Sequence, residues 1–181
     1  MNLPNKLTIL RIALVPFFVA AMLLAFPFRY LVALALFGVA SLTDMLDGKI
    51  ARKYGLVTNF GKFMDPLADK VLVMAALICF IPCFGLSAVA VIIIMAREFL
   101  VTSLRLVASS EGLVIAADKW GKVKTASTMV WICITLFLAG VGIGSGLFHW
   151  VFNIGASLVT LVTVLSGANY LAKNRSILNM Q

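Results

Sequence analysis

Apolar residues run through this chain in blocks of about twenty, separated by short clusters of turn-forming and charged residues. Six blocks stand out, at about 8–28, 30–50, 65–84, 87–108, 122–143 and 147–172. Their length and lack of strand-like alternation predict helices, and about 20 apolar residues in a helix cross the ~30 Å core of a bilayer. The last two blocks are the cleanest, since 125–148 and 150–172 contain no charged side chain. The breaks carry turn chemistry. "FPFRY" bends around Pro27, and "IPCFGLS" offers Pro82 and Gly85 as breakers. "AGVGIGSGLFHW" places glycines at 140, 142, 144 and 146. No strand precedes them and their spacing fits no nucleotide fingerprint, so a flexible turn is predicted rather than a phosphate loop.

Composition sharpens this. Of 181 residues, 62% are hydrophobic and only 12% charged, against about a quarter charged in soluble domains. The expected fold class is an all-α integral membrane protein with six transmembrane helices, forming one membrane domain over 1–181. The first block is not a cleavable signal peptide, because no small-residue cleavage site follows it and further spans do. The net charge of +8 has a use other than nucleic acid. Lys6, Arg11, Lys49, Arg52, Lys53, Lys62, Lys70, Lys119, Lys122, Lys124, Lys173 and Arg175 all thread to one face; Arg29 alone threads to the other, and Arg97 and Arg105 lie within the fourth span. Positive residues mark the cytoplasmic side, which puts both termini and the loops at 48–63 and 109–121 inside. Cys79, Cys83 and Cys133 lie in apolar stretches without a metal-ligand pattern and read as small buried hydrophobes. His149 threads to the opposite face, as an interfacial residue rather than a catalyst.

Four of the seven carboxylate side chains fall in "TDMLDGKIARKYGLVTNFGKFMDPLADK". From Tyr30 only fourteen uncharged residues precede Asp44, about 21 Å of helix, so the second helix should continue and carry Asp44 and Asp47 near the inner membrane boundary. Asp65 and Asp69 should likewise lie in the first turns of the third span. Spacings of three and four put each pair on one helix face, and antiparallel neighbours would bring the pairs to one level. A solvated acidic loop end is the alternative. Carboxylates crowded at a membrane edge repel severely, however, and an oxygen-rich cluster suits hard divalent cations such as Mg²⁺ or Mn²⁺. Two pairs suit a two-metal site for phosphoryl chemistry. Gly48 and Ala51 keep one face free of bulk beside the acids, Arg52 can offer a planar fork to phosphate, and Gly61 loosens or tightly packs the entry to span three.

These residues form the pattern D-x-x-D-G-x-x-A-R-x8-G-x3-D-x3-D, which resembles the signature of the CDP-alcohol phosphotransferases at every fixed position: Asp44, Asp47, Gly48, Ala51, Arg52, Gly61, Asp65 and Asp69. The six-span layout, with the motif between spans two and three, is similar too. The resemblance implies transfer of a phosphatidyl-type group from a CDP-linked donor to an alcohol, with release of CMP. It implies that the four aspartates hold two Mg²⁺ or Mn²⁺ ions on the donor's pyrophosphate, that Gly48 and Ala51 make room for cytidine, that Arg52 meets phosphate, and that Asp69 is also the general base. It also implies a homodimer.

The acceptor is read from "AREFLVTSLR" and "DKWGKVKTA". An intramembrane arginine is a functional candidate. For Arg97 a structural pair with Glu98 is an equal alternative, and Lys119, Lys122 and Lys124 serve equally as positive-inside anchors. Arg105, Lys122 and Lys124, helped by Arg97, would suit an acceptor bearing its own phosphate. These stretches and the opening "MNLPNKLTILR" resemble the bacterial phosphatidylglycerophosphate synthases over nearly the whole chain. That resemblance implies CDP-diacylglycerol and sn-glycerol 3-phosphate as substrates, and a bacterial cytoplasmic membrane with the active site inside. Inositol phosphate, serine and phosphatidylglycerol are the alternative acceptors, and a divalent-cation transporter is the alternative class. Asn5, Thr8 and Arg11 recur at three-residue spacing as candidate donor contacts, or as an ordinary juxtamembrane helix start.

Overall fold

The computed structural model describes the backbone of residues 3–54, 59–110 and 119–174; within these, the side chains of 3–6, 44–54, 59–63, 65, 66, 69, 109 and 110 lie outside what is described. So do 55–58 and 111–118, the centres of the two loops expected on the cytoplasmic side, and Arg175.

All described secondary structure is helical: α1 (Leu3–Leu23), α2 (Arg29–Tyr54), α3 (Asn59–Phe84), α4 (Ala88–Ser110), α5 (Lys119–Val141) and α6 (Ser145–Lys173). As expected, α2 runs on through Asp44 and Asp47, whereas α3 begins at Asn59, six residues before the expected start, so that Asp65 is its seventh residue. Other boundaries differ. α1 starts and ends five residues earlier than the apolar block, because polar Asn5 and Lys6 are compatible with a helix start that hydropathy alone does not register. Pro82 does not break α3 but sits in its last turn; Gly85, at φ 74°, is the terminator, its N–H donating to the Ile81 carbonyl at 3.1 Å. That is a left-handed C-terminal cap, which glycine adopts without steric cost. Gly142, at φ 72°, ends α5 similarly, with the Ile143 N–H reaching the Leu138 carbonyl. The glycine run is therefore not one flexible turn. Gly140 belongs to α5, where an added Cβ would come within 2.5 Å of Leu31 Cδ2.

Contacts divide the chain into two compact units, one of residues 1–85 and 132–148, the other of 86–131 and 149–181. In the first, α1 packs along both α2 and α3. The rings of Phe18 and Phe37 are 6.1 Å apart, and Cys83 Sγ donates to the Met22 carbonyl at 3.5 Å, so α1 is antiparallel to α2 and parallel to α3. Tyr30 and Phe84, 5.1 Å apart, join the start of α2 to the end of α3. Ala33, Ala40, Ala68 and Ala76 are fully buried, as are Phe37, Leu77 and Phe80, and the small alanine side chains permit close helix approach.

In the second unit α4 and α6 run parallel, Arg97 reaching Ser166 and Arg105 lying over Tyr170, while α5 is antiparallel to both. Trp131 and Phe152 stack at 5.5 Å. Gly155 lies directly beneath the Trp131 indole, leaving no room for a Cβ.

The exposed surface differs from that of a soluble bundle. Thr8, Arg11, Lys124, Thr128, Thr163 and Ser166 are buried, whereas Phe17, Phe28, Val89, Ile92, Leu147 and Trp150 are each at least 60% exposed. A soluble protein hides such side chains, and a lipid-facing one displays them. α5 and α6 are each long and apolar enough to cross a membrane.

Candidate active site

The acidic motif is positioned by backbone. With Tyr30 against Phe84, residues equally far from that end of α2 and α3 lie at one level. Asp44 and Asp69 are then about 21 and 22 Å along their helices, and Asp47 and Asp65 about 26 and 29 Å. Two antiparallel helices thus bring all four within about two helical turns of one another. The donor set fits a hard divalent cation, since every candidate ligand is a carboxylate and two ions can share four of them. The side chains of Asp44, Asp47, Gly48, Ala51, Arg52, Gly61, Asp65, Asp69 and Asn5 lie outside those described, although each residue is in a helix. Thr8 and Arg11 are described, and both are fully buried on α1.

The basic group is resolved in detail. Arg97 Nη1 donates to Glu98 Oε1 at 2.7 Å, and Lys124 Nζ lies 2.9 Å from that same oxygen. Arg97 Nη2 donates to Ser166 Oγ at 2.6 Å. One carboxylate from α4 therefore holds a guanidinium on its own helix and an ammonium from α5, while α6 contributes a hydroxyl. The space is cut to size: a Cβ at Gly167 would come 3.1 Å from Arg97 Cγ, and one at Gly121 would come 3.6 Å from Arg97 Nη2. Buried charges need partners, and Glu98 serves both cations.

Of the residues expected to bind the acceptor phosphate, the structure joins Arg97 and Lys124 through Glu98. Lys122 is exposed: two residues from Lys124, it points about 200° away around α5 and does not join the cluster. Arg105, two turns beyond Arg97, has its Cζ 5.7 Å from the Tyr170 ring centroid. Arg105 Nε and the Tyr170 hydroxyl are buried with no hydrogen-bond partner among the described residues. An unsatisfied buried donor costs about 1–3 kcal/mol. Glu98's role towards Lys124, and any role for Ser166, Gly167 or Tyr170, is not visible in the sequence patterns above. The one available signal was that Ser166 and Tyr170 are polar and one helical turn apart in an apolar run. His149 is exposed at the start of α6, among Trp150, Asn153 and Ile154, as an interfacial residue would be.

Comparison with known proteins agrees with the motif. The model of the CDP-alcohol phosphatidyltransferase family matches residues 1–165. The chain is 43% identical to the CDP-diacylglycerol–glycerol-3-phosphate 3-phosphatidyltransferase of Bacillus subtilis, covering 96% of this chain and 95% of that one. It is 36% identical to the enzyme of that name from Rickettsia bellii, over 93% of each chain. It is 38% identical to a probable phosphatidylglycerophosphate synthase of Mycobacterium tuberculosis, over 95% of this chain and 81% of that one. The family is in general dependent on divalent metals. With its complete eight-position motif carried on two antiparallel helices, the chain belongs to the CDP-alcohol phosphatidyltransferase family.

Proposed function

We propose that this protein transfers the phosphatidyl group of CDP-diacylglycerol to sn-glycerol 3-phosphate, giving phosphatidylglycerophosphate and CMP. The observation that carries this reading is the near-full-length identity to enzymes named for that reaction, 43% and 36% in two of them. In the step, the acceptor hydroxyl oxygen bonds to the phosphatidyl phosphorus, the phosphoanhydride bond to CMP breaks, and CMP leaves with that electron pair.

Each residue has a defined task. Asp44, Asp47, Asp65 and Asp69 would hold two Mg²⁺ or Mn²⁺ ions, whose chemistry is to neutralise the donor's pyrophosphate and the charge that develops on it. Asp69 accepts the proton of the attacking hydroxyl. An aspartate is a weak base, with an ordinary pKa of about 3.9, so proton acceptance accompanies attack rather than preceding it. Gly48 and Ala51 leave room for the cytidine, Arg52 donates to phosphate, and Asn5 and Thr8 contribute from α1, with Gly61 setting the entry to α3. Arg105 and the Arg97–Glu98–Lys124 cluster receive the acceptor's phosphate. The 181 residues form one membrane domain of six spans in a bacterial cytoplasmic membrane, with both termini and the reaction on the cytoplasmic side, and a homodimer is the expected assembly.

The test is purified protein with CDP-diacylglycerol and a panel of alcohols. Glycerol 3-phosphate should be preferred over glycerol, serine and inositol, because each charge-assisted bond to its phosphate contributes roughly 1.5–3 kcal/mol. Arg105→Ala should lower kcat/KM for this acceptor by about ten- to a hundredfold. A preference for serine or unphosphorylated inositol contradicts the acceptor assignment.

A further inference from the structure

We infer that Tyr170 is a substrate-contacting residue, its hydroxyl sharing the acceptor's phosphate with Arg105; the inference rests on the reading of the acceptor just given. Tyr170 is only 2% exposed, near the end of α6, with the Arg105 guanidinium over its ring. The ring alone explains that contact, since any aromatic face attracts a guanidinium. The hydroxyl needs another explanation. It is buried without a hydrogen-bond partner among the described residues, and so is Arg105 Nε. Both atoms are donors, an arginine N–H having no acceptor capacity and a phenol readily donating to an anion. They come from α4 and α6, and one turn before Tyr170 the Ser166 hydroxyl accepts from Arg97, whereas Arg105 meets only the Tyr170 ring and leaves its hydroxyl unused. Two unsatisfied donors on neighbouring side chains call for an anionic group with several acceptor oxygens. A phosphate monoester has three, enough for both donors at once.

Tyr170→Phe isolates the claim, because it keeps the ring over Arg105 and removes only the hydroxyl. With the full-length enzyme at saturating metal and CDP-diacylglycerol, the KM for glycerol 3-phosphate should rise about tenfold while kcat changes by less than about threefold. The KM for CDP-diacylglycerol should stay the same, and the Ki of inorganic phosphate, competing for the same donors, should rise with the acceptor's KM. In Arg105→Ala/Tyr170→Phe the losses should fall short of the product of the single effects, because both groups serve one anion. An unchanged acceptor KM and phosphate Ki in Tyr170→Phe overturns the inference, as does a fall in kcat accompanied by a lowered unfolding midpoint. If Arg105→Ala raises the acceptor KM and Tyr170→Phe does not, only the tyrosine's role is lost. If neither does, the placing of the acceptor phosphate is lost as well.

Discussion

Glu98 shows how a single side chain organises a charged group inside an apolar bundle. Its Oε1 serves both Arg97 and Lys124, and the three side chains are 16%, 11% and 3% exposed. Removing one member of a buried ionic group costs about 3 kcal/mol or more, chiefly by stranding the partners' charges. Glu98→Gln should therefore lower the unfolding midpoint in detergent clearly, with Glu98→Asp intermediate; an unchanged midpoint would show that the cluster is solvated. The motif aspartates should divide differently. Asp44→Asn and Asp65→Asn should raise the metal concentration needed for activity and the KM for CDP-diacylglycerol together, since an amide is a poorer ligand for a hard cation. Asp69→Asn should lower kcat even at saturating metal and donor, and a fully active variant would remove its role as base. The aspartates were legible because a carboxylate is costly in an apolar chain, so four in one stretch demand a reason. Which lysine is buried was not: Lys122 and Lys124 look alike until the phase of α5 against Glu98 is known. Ser166 and Tyr170 carry no charge and leave almost no mark on a hydropathy pattern.

Among the helices, length and type were legible and ends were not. Hydropathy registers apolar runs, so it located α4, α5 and α6 closely, but helix ends are set by caps and by tolerance of polar residues. Thus α1 reaches back to Leu3, and α3 continues past Pro82 to the glycine cap at Gly85. Close helix approach was also hidden, because glycine reads equally as hinge or contact point. Gly155 is a contact point, its backbone lying against the buried Trp131 indole. Gly155→Ala must displace that ring, and overpacking of this kind costs about 1–3 kcal/mol. The variant should unfold at a lower temperature with Trp131 fluorescence altered, whereas Gly146→Ala, facing open space at the start of α6, should match the parent. Equal midpoints for the two would show that α5 and α6 do not pack through Gly155.

For the whole molecule, the many exposed large apolar side chains agree with the membrane character read from composition. The orientation rests on charge, twelve basic residues threading to one face and Arg29 alone to the other. With the three native cysteines replaced, cysteines at Arg29 and Ser145 should react with an impermeant thiol reagent in intact cells, and one at Lys53 only after permeabilisation. The reverse pattern would turn the protein over and place the aspartates outside. The family was legible in the spacing of Asp44, Asp47, Asp65 and Asp69, and the basic residues say less, since a lysine at a membrane edge serves as anchor and ligand alike. The most direct test of the account is CMP release by the purified protein from CDP-diacylglycerol, with and without glycerol 3-phosphate and with and without excess chelator. The account predicts CMP and phosphatidylglycerophosphate in equal amounts, dependent on glycerol 3-phosphate and on added Mg²⁺ or Mn²⁺. Undiminished CMP release in excess chelator, or no phosphatidylglycerophosphate with all components present, would contradict it.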